Sequence, residues 1–353
     1  MKILLCLLII LLINSCSNKS KESLPHVVTN TKKGLWEKDS RKKVELNQIW
    51  AIGGLKETDQ SKIFFEPKAL ALDSLKNIYV LDSGNNRIQK INPNGQVILS
   101  LGRKGEGPGE FMKPSDIFID DNDKIYVADT GNARIQILSL TGEFILSFKV
   151  RKNVSSIVVD KEGNIFASVT KPDTALIYKY TQTGELLTSF GQIKKYENFL
   201  LQNALNKNVI TIDSEQYIYV TYFYRNLVQK YDTQGTLLLE FSRKRPYSAK
   251  YTWRWEWEEE ESGTGHGGFF AESFETLDIF AYDGIIYILL GNNYLLEDAK
   301  SSTIERYTND GIYLDSFDVP GIFWSFLLDE ESLYILDFAR TMDLCKYSIS
   351  LKK

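Results

Sequence analysis

The stretches NIYVLDSGNNRIQKI (residues 77–91) and KIYVADTGNARIQIL (residues 124–138) decide the fold, because they are the same phrase written twice. Weaker copies are NIFASV at 164–169, YIYVTY at 217–222, IIYILL at 285–290 and SLYILD at 332–337. The marker position falls at Ile78, Ile125, Ile165, Ile218, Ile286 and Leu333. Self-similarity at such a period is the signature of a repeat architecture. Each unit carries an apolar run ending near Asp, a short turn, the Ile-Tyr strand, a polar turn, a third strand, a Gly turn and a fourth strand. In the first unit these are Ala69–Leu72 with Asp73, Ile78–Leu81, Arg87–Ile91, Asn94-Gly95 and Val97–Leu101.

Short β-branched and aromatic runs bounded by Gly, Asn, Asp and Pro read as strands, and Asn-Gly between two of them reads as a hairpin. The Gly turn returns at Gly142, Gly184, Gly235 and Gly311. Helical periodicity is missing, so an α-solenoid of the same period is excluded. Four-stranded units repeated about an axis make a six-bladed β-propeller, an all-β fold. The last unit has only three strands, at Phe323–Leu328, Leu333–Leu336 and Leu344–Ile349. Val44–Ile52, ahead of the first unit, ends like a fourth strand. Its pairing with the last unit would complete blade six and remove the open sheet edges that invite aggregation.

The pattern Phe-x-x-Pro, Ile-Tyr-Val, Ala-Asp-Ser/Thr-Gly-Asn-x-Arg-Ile resembles the NHL repeat. Phe65–Gly95 and Phe111–Gly142 carry it well, whereas TKPDTALIYKY at 170–180 and YFYRNLVQKY at 222–231 depart from it. With its N-terminus, the whole resembles the six-bladed propeller lipoproteins of Bacteroidetes-type cell envelopes. That likeness implies a fold and a compartment and no defined activity.

Met1-Lys2, the apolar run Ile3–Ile13 and then Asn14-Ser15-Cys16 make a secretory signal over residues 1–15. The apolar run is too short to span a bilayer. Cys16 stands where the bacterial lipobox places its lipidated cysteine. Residues 16–43, polar and without a strand pattern, read as a flexible tether between the lipid anchor and a propeller over 44–353. The expected partner is then the bilayer itself, reached through Cys16 at the outer membrane, with either face open. Of the three cysteines only Cys345 remains in the body of the chain, so the mature protein has no disulfide to form. The net charge is −4. This excludes the basic surface that a nucleic-acid binder needs.

Candidate chemistry is sparse. Asp82, Asn85 and Arg87, with Asp129, Asn132 and Arg134, read as turn staples, an Arg fork meeting a carboxylate. Aligned on the marker, the first strands put Ala69, Asp116, Ser156, Val209, Asp278 and Ser325 at one level of the channel. Units two and five lie opposite, so Asp116 and Asp278 face each other and are the candidate ligands for Ca2+, a hard cation. They are otherwise two solvated carboxylates, with no cofactor required. The long interval before unit five is an inserted loop at about 243–275. In it Trp253, Trp255 and Trp257 alternate with charged residues, and His266 follows. Exposed Trp is a frequent anchor of binding. The two His residues, His26 and His266, cannot build a three-His zinc site. No catalytic residue is assigned. The expectation is a non-enzymatic binding or scaffold module for a protein, peptide or glycan of the envelope. The alternative is a metal-dependent hydrolase or lyase at the channel, and whether the protein is an enzyme stays open at this point.

Overall fold

The computed structural model describes residues 24–30, 44–54, 57–59, 62–150, 153–243, 251–256, 266–271, 275–291, 301–337 and 341–351. These build a six-bladed propeller of antiparallel blades. The innermost strands, in ring order, are Pro67–Leu72, Asp116–Ile119, Val154–Val159, Asn208–Ile212, Thr276–Tyr282 and Ser325–Leu328. Each lies against the next, and the sixth lies against the first. The buried apolar side chains divide in the same way. One cluster fills each of the six gaps between neighbouring blades, including the gap between blades six and one. A blade covered on both faces must be apolar on both, and Ile78–Asp82 is buried at every position.

The recurring Asp and Tyr are explained by a bond they make together. In blades one, two, four and six the phenol of Tyr79, Tyr126, Tyr219 and Tyr334 donates to Asp73, Asp120, Asp213 and Asp329, at 3.2, 3.0, 3.0 and 3.1 Å. The other oxygen of each Asp accepts the backbone N–H groups of the turn that follows, as Asp73 does from Leu75 and Asn77. One side chain therefore closes the turn and ties down the buried strand. In blade three Phe166 replaces the Tyr, and Asn164 takes its place on Asp160 at 2.9 Å.

Closure follows the sequence reading. Val44–Gly53 pairs antiparallel with Asp343–Leu351 and is the outer strand of blade six. Trp50 shows that this strand does the work of an ordinary fourth strand. The Gly turn of each blade sits on a side chain from the outer strand before it: Gly142 on Leu101, Gly184 on Phe148, Gly235 on Phe190 and Gly311 on Phe241. At Gly95 that side chain is Trp50, whose ring lies 2.9 Å from where a Cβ would stand. The Trp50 indole also donates to the Pro93 carbonyl at 3.1 Å.

The stretch read as tether is not featureless. His26–Asn30 forms a strand that pairs in parallel with the outer strand of blade four, Leu237–Arg243, and gives that blade a fifth member. Backbone pairing to an exposed edge asks little of a sequence, which is why HVVTN gives almost no signal. Asn30 fixes the end. Its amide donates to the Ser242 and Gly311 carbonyls at 3.0 and 2.8 Å, and its oxygen accepts from the Tyr313 N–H at 3.0 Å. The signal segment 1–15 and Cys16 lie outside the described residues.

Candidate functional site

The innermost strands all begin on one face of the ring, here called the top. Connections into blades and turns between second and third strands open there. They surround a cavity of about 580 Å3 at the channel mouth. Ala69, Asp116, Ser156, Val209, Asp278 and Ser325, the six residues aligned to one level, all line it.

The two carboxylates are placed alike and held alike. Asp116, at the start of its strand in blade two, accepts the Ile157 N–H of blade three at 2.7 Å and is hydrogen-bonded by Ser156. Asp278 of blade five accepts the Phe326 N–H of blade six at 3.1 Å and the Ser325 hydroxyl at 2.7 Å. Each also accepts the N–H of the next residue in its own strand. Both acids thus clamp one blade to the next, at two places half a turn apart. Both are only partly exposed and are enclosed by protein on most sides. Burial pushes the Asp116 carboxyl up to about 7, and the Asp278 charge adds a little to this. Burial pushes Asp278 up to about 6. Among the described residues no three His, Cys, Asp or Glu converge as a ligand set would.

These shifts set a pH dependence. A carboxyl with a higher proton affinity in the folded than in the unfolded chain stabilises the fold fully below its unfolded pKa, near 4. It loses that contribution as the pH rises through the folded value. The loss here spans roughly pH 4 to 7. Urea midpoints should fall from pH 5 to pH 8, and the Asp116→Asn/Asp278→Asn variant should fall clearly less. Parallel slopes for the two proteins would show that neither acid carries a raised affinity.

The rest of the lining is basic and aromatic. Lys68, Lys113 and Lys207 enter from blades one, two and four, each one to three residues ahead of the channel level. Among the described residues none of the three has an ion-pair partner. Burial holds the Lys207 ammonium below its ordinary value, and the Lys68 charge adds to this. Lys68 is likewise lowered, first by burial, with Glu66 opposing and Lys113 adding. The Lys207 ammonium sits over Phe223 at 4.4 Å and Trp324 at 5.9 Å, and these two rings pack against each other at 5.8 Å. Asn208 also lines the cavity. It is 1% exposed, its Nδ2 donates to Asn206, and its buried Oδ1 accepts from no protein group. Sequence reading passed over these residues. The signal was available in PKA at 67–69, MKPSD at 112–116 and NKNV at 206–209, where Lys precedes the channel level each time.

The inserted segment contains a two-stranded hairpin, Tyr251–Glu256 with His266–Ala271. Trp253 pairs with Phe269, Trp255 with Gly267, and Glu256 with His266. Trp257 lies outside the described residues. The second hairpin strand approaches the short helix Phe199–Leu205, which enters blade four and carries exposed Phe199 and Leu200. Cys345 is buried in blade six, and burial pushes its thiol up to about 12, so it is an inert packing residue.

The turn staples are as expected. Asp82 accepts from Asn85 at 2.9 Å and Arg87 at 2.7 Å, and Asp129 from Asn132 at 2.8 Å and Arg134 at 2.7 Å.

Comparison with known proteins agrees with the architecture. The model of the DUF5128 family, described as a 6-bladed beta-propeller, matches residues 39–259. No curated protein matches the chain. Among solved structures, a Bacteroides fragilis protein described as exported aligns with TM-score 0.57 at 12% identity, covering 94% of this chain and 100% of its own. Virginiamycin B lyase from Staphylococcus aureus aligns with TM-score 0.54 at 14% identity, covering 87% and 100%. A Xanthomonas campestris gluconolactonase aligns with TM-score 0.54 at 12% identity, covering 87% and 90%. At these identities the likeness is one of fold.

Proposed function

Because this chain belongs to the DUF5128 family of six-bladed β-propellers, we propose that it is a binding module of the cell envelope that works through its top face. The observation that carries this is the top-face cavity, lined by three cations without ion-pair partners among the described residues and by a tilted pair of packed aromatic rings, with its two acids committed to holding blades together. Groups built to bind are present, and the acids are spent on structure. The secretory segment and Cys16 support a lipid-anchored protein outside the cytoplasm, at the outer membrane. The exported Bacteroides fragilis protein of like fold agrees with that compartment. The hairpin with Trp253 and Trp255 would enlarge the contact surface for a protein, peptide or glycan partner.

Photo-crosslinking from the hairpin in intact envelopes should trap a discrete partner. Trp253→Ala/Trp255→Ala/Trp257→Ala should reduce that adduct at least tenfold with the melting temperature unchanged. An undiminished adduct would remove the hairpin from the binding surface. The rival reading is a metal-dependent hydrolase or lyase using Asp116 and Asp278. It requires calcium to raise the melting temperature of the wild type and not of Asp116→Asn/Asp278→Asn. A scan with no calcium effect disposes of it.

A further inference from the structure

We infer that the top-face cavity takes a small organic anion bearing hydroxyl groups, an acidic sugar of the uronate class, held by Lys68, Lys113 and Lys207 with Asn208 as hydroxyl acceptor. This rests on the binding-module reading and names its ligand class.

Three observations converge. First, the lysines enter one cavity from three separate blades. Lys68 and Lys207 are partly buried and Lys113 is exposed at the mouth; bringing their ammonium groups together opposes folding, by lost hydration at the first two and by mutual repulsion. Lys68 and Lys207 show both effects in their lowered proton affinity. Glu66 is the carboxylate that acts on Lys68, and it lies outside ion-pair distance. The remaining acids of the cavity, Asp116 and Asp278, are engaged by N–H and hydroxyl donors of the next blade. An arrangement unfavourable in the empty protein is relieved by a bound anion.

Second, the buried Oδ1 of Asn208 accepts from no protein donor. A buried acceptor left so costs stability, which a ligand hydroxyl would recover. The hydroxyls of Ser115, Thr130, Ser155 and Thr170 line the same space; each is already hydrogen-bonded within the protein and keeps a lone pair to accept from a polyol. Third, the half-buried Trp324 with Phe223 offers an apolar wall beside the cations. A sugar ring has an apolar face, hydroxyl edges and, in a uronate, one carboxylate. A bare inorganic anion would use only the lysines. The cavity volume is in the range of small-molecule sites.

The test uses the full-length chain and three probes, sodium glucuronate, glucose and inorganic phosphate, with affinities read by NMR titration. Glucuronate should bind at least tenfold more tightly than either glucose or phosphate. Lys68→Met/Lys207→Met should weaken glucuronate at least tenfold. Its melting temperature without ligand should equal or exceed the wild type's, since two desolvated charges are gone, and this separates lost recognition from lost fold. Asn208→Leu, close in shape and without the acceptor, should weaken glucuronate and leave phosphate unchanged. Phosphate binding as tightly as glucuronate would overturn the sugar assignment, and glucuronate binding unaffected by the lysine variant would overturn the site. If glucuronate fails while the tryptophan variant still loses its crosslinked partner, the anion inference falls and the binding-module reading stands.

Discussion

A chain that begins at Gly54 is expected to lose cooperative folding, whereas one that begins at Lys43 should melt close to the full-length protein. The difference between the two is the strand Val44–Gly53. It supplies the outer edge of blade six and, through Ile52, part of the core between blades six and one. Burial of Ile52 alone is worth about 2–3 kcal/mol. Trp50, the ladder of backbone bonds to Asp343–Leu351 and the exposed edge that remains add to the loss. A whole domain is typically stable by about 5–15 kcal/mol. The removal therefore takes a large share of the total and leaves a free edge on Asp343–Leu351. Light scattering should show aggregation of the Gly54 chain at concentrations where the Lys43 chain is monomeric. A peptide of residues 44–53 added in trans should partly restore the melt. If the Gly54 chain melts within a few degrees of the Lys43 chain, the ring is held shut by something other than this strand. The Lys43 chain against the full-length protein isolates His26–Asn30, absent from the first and present in the second. Its loss should cost little, because it adds to an outer edge with Val28 as its inward contact.

The ring was legible in the sequence because its parts are local and repeated. The Asp that ends each inner strand and the Ile-Tyr pair do a job confined to one blade, and the Gly turn meets the outer strand of the blade before it in every repeat, so each leaves a mark at a fixed offset. Even the closing strand showed, since the last unit has only three strands and Ile49-Trp50-Ala51-Ile52-Gly53 has the ending of a fourth. The alignment of Asp116 with Asp278 is visible for the same reason. What the acids do is not, because their bonds go to Ile157 and Phe326 of the following blades, and pairing between blades has no sequence offset to read. Lys68, Lys113 and Lys207 were hidden differently. They stand one to three residues ahead of the channel level, at three spacings, in only three of six units. A single lysine before a strand is ordinary, and its meaning appears only when the ring brings the three to one cavity. His26–Asn30 was hidden because a parallel strand on an outer edge is specified by the edge and hardly by the strand.

Arg134→Met should cost about 3–5 kcal/mol, the range for removing one partner of a buried pair. The Arg134 guanidinium is buried, and its Nε donates to Asp129 at 2.7 Å. Its remaining nitrogens donate to the Glu106, Gly107 and Glu110 carbonyls, each at 2.8 Å. One side chain therefore closes its own turn and pins the glycine-rich connection between blades one and two. Asp129 has no exposure, so the variant strands a carboxylate away from water. It keeps bonds from the Met112 N–H, Asn132 and Gln136, which places the cost toward the lower end. Arg87 is the control of like sequence and unlike burial. Its side chain is 21% exposed, and its guanidinium holds Asp82 and the Ile63 carbonyl. Arg87→Met should cost less, since its partly exposed guanidinium holds one backbone carbonyl where that of Arg134 holds three, although Asp82 is as buried as Asp129 and keeps bonds from the Phe65 N–H and Asn85. Urea midpoints read both. Amide exchange separates the two roles of Arg134: protection should fall over residues 103–111 in Arg134→Met and not in Arg87→Met. Asp129→Asn/Arg134→Met should recover part of the stability, because the stranded charge is gone, and should leave the connection as mobile as in the single variant. Equal costs for the two arginines would mean that the connection is held by its own Arg103–Glu110 pair, 2.7 Å apart at the surface, and that the second repeat gains nothing from burying its fork.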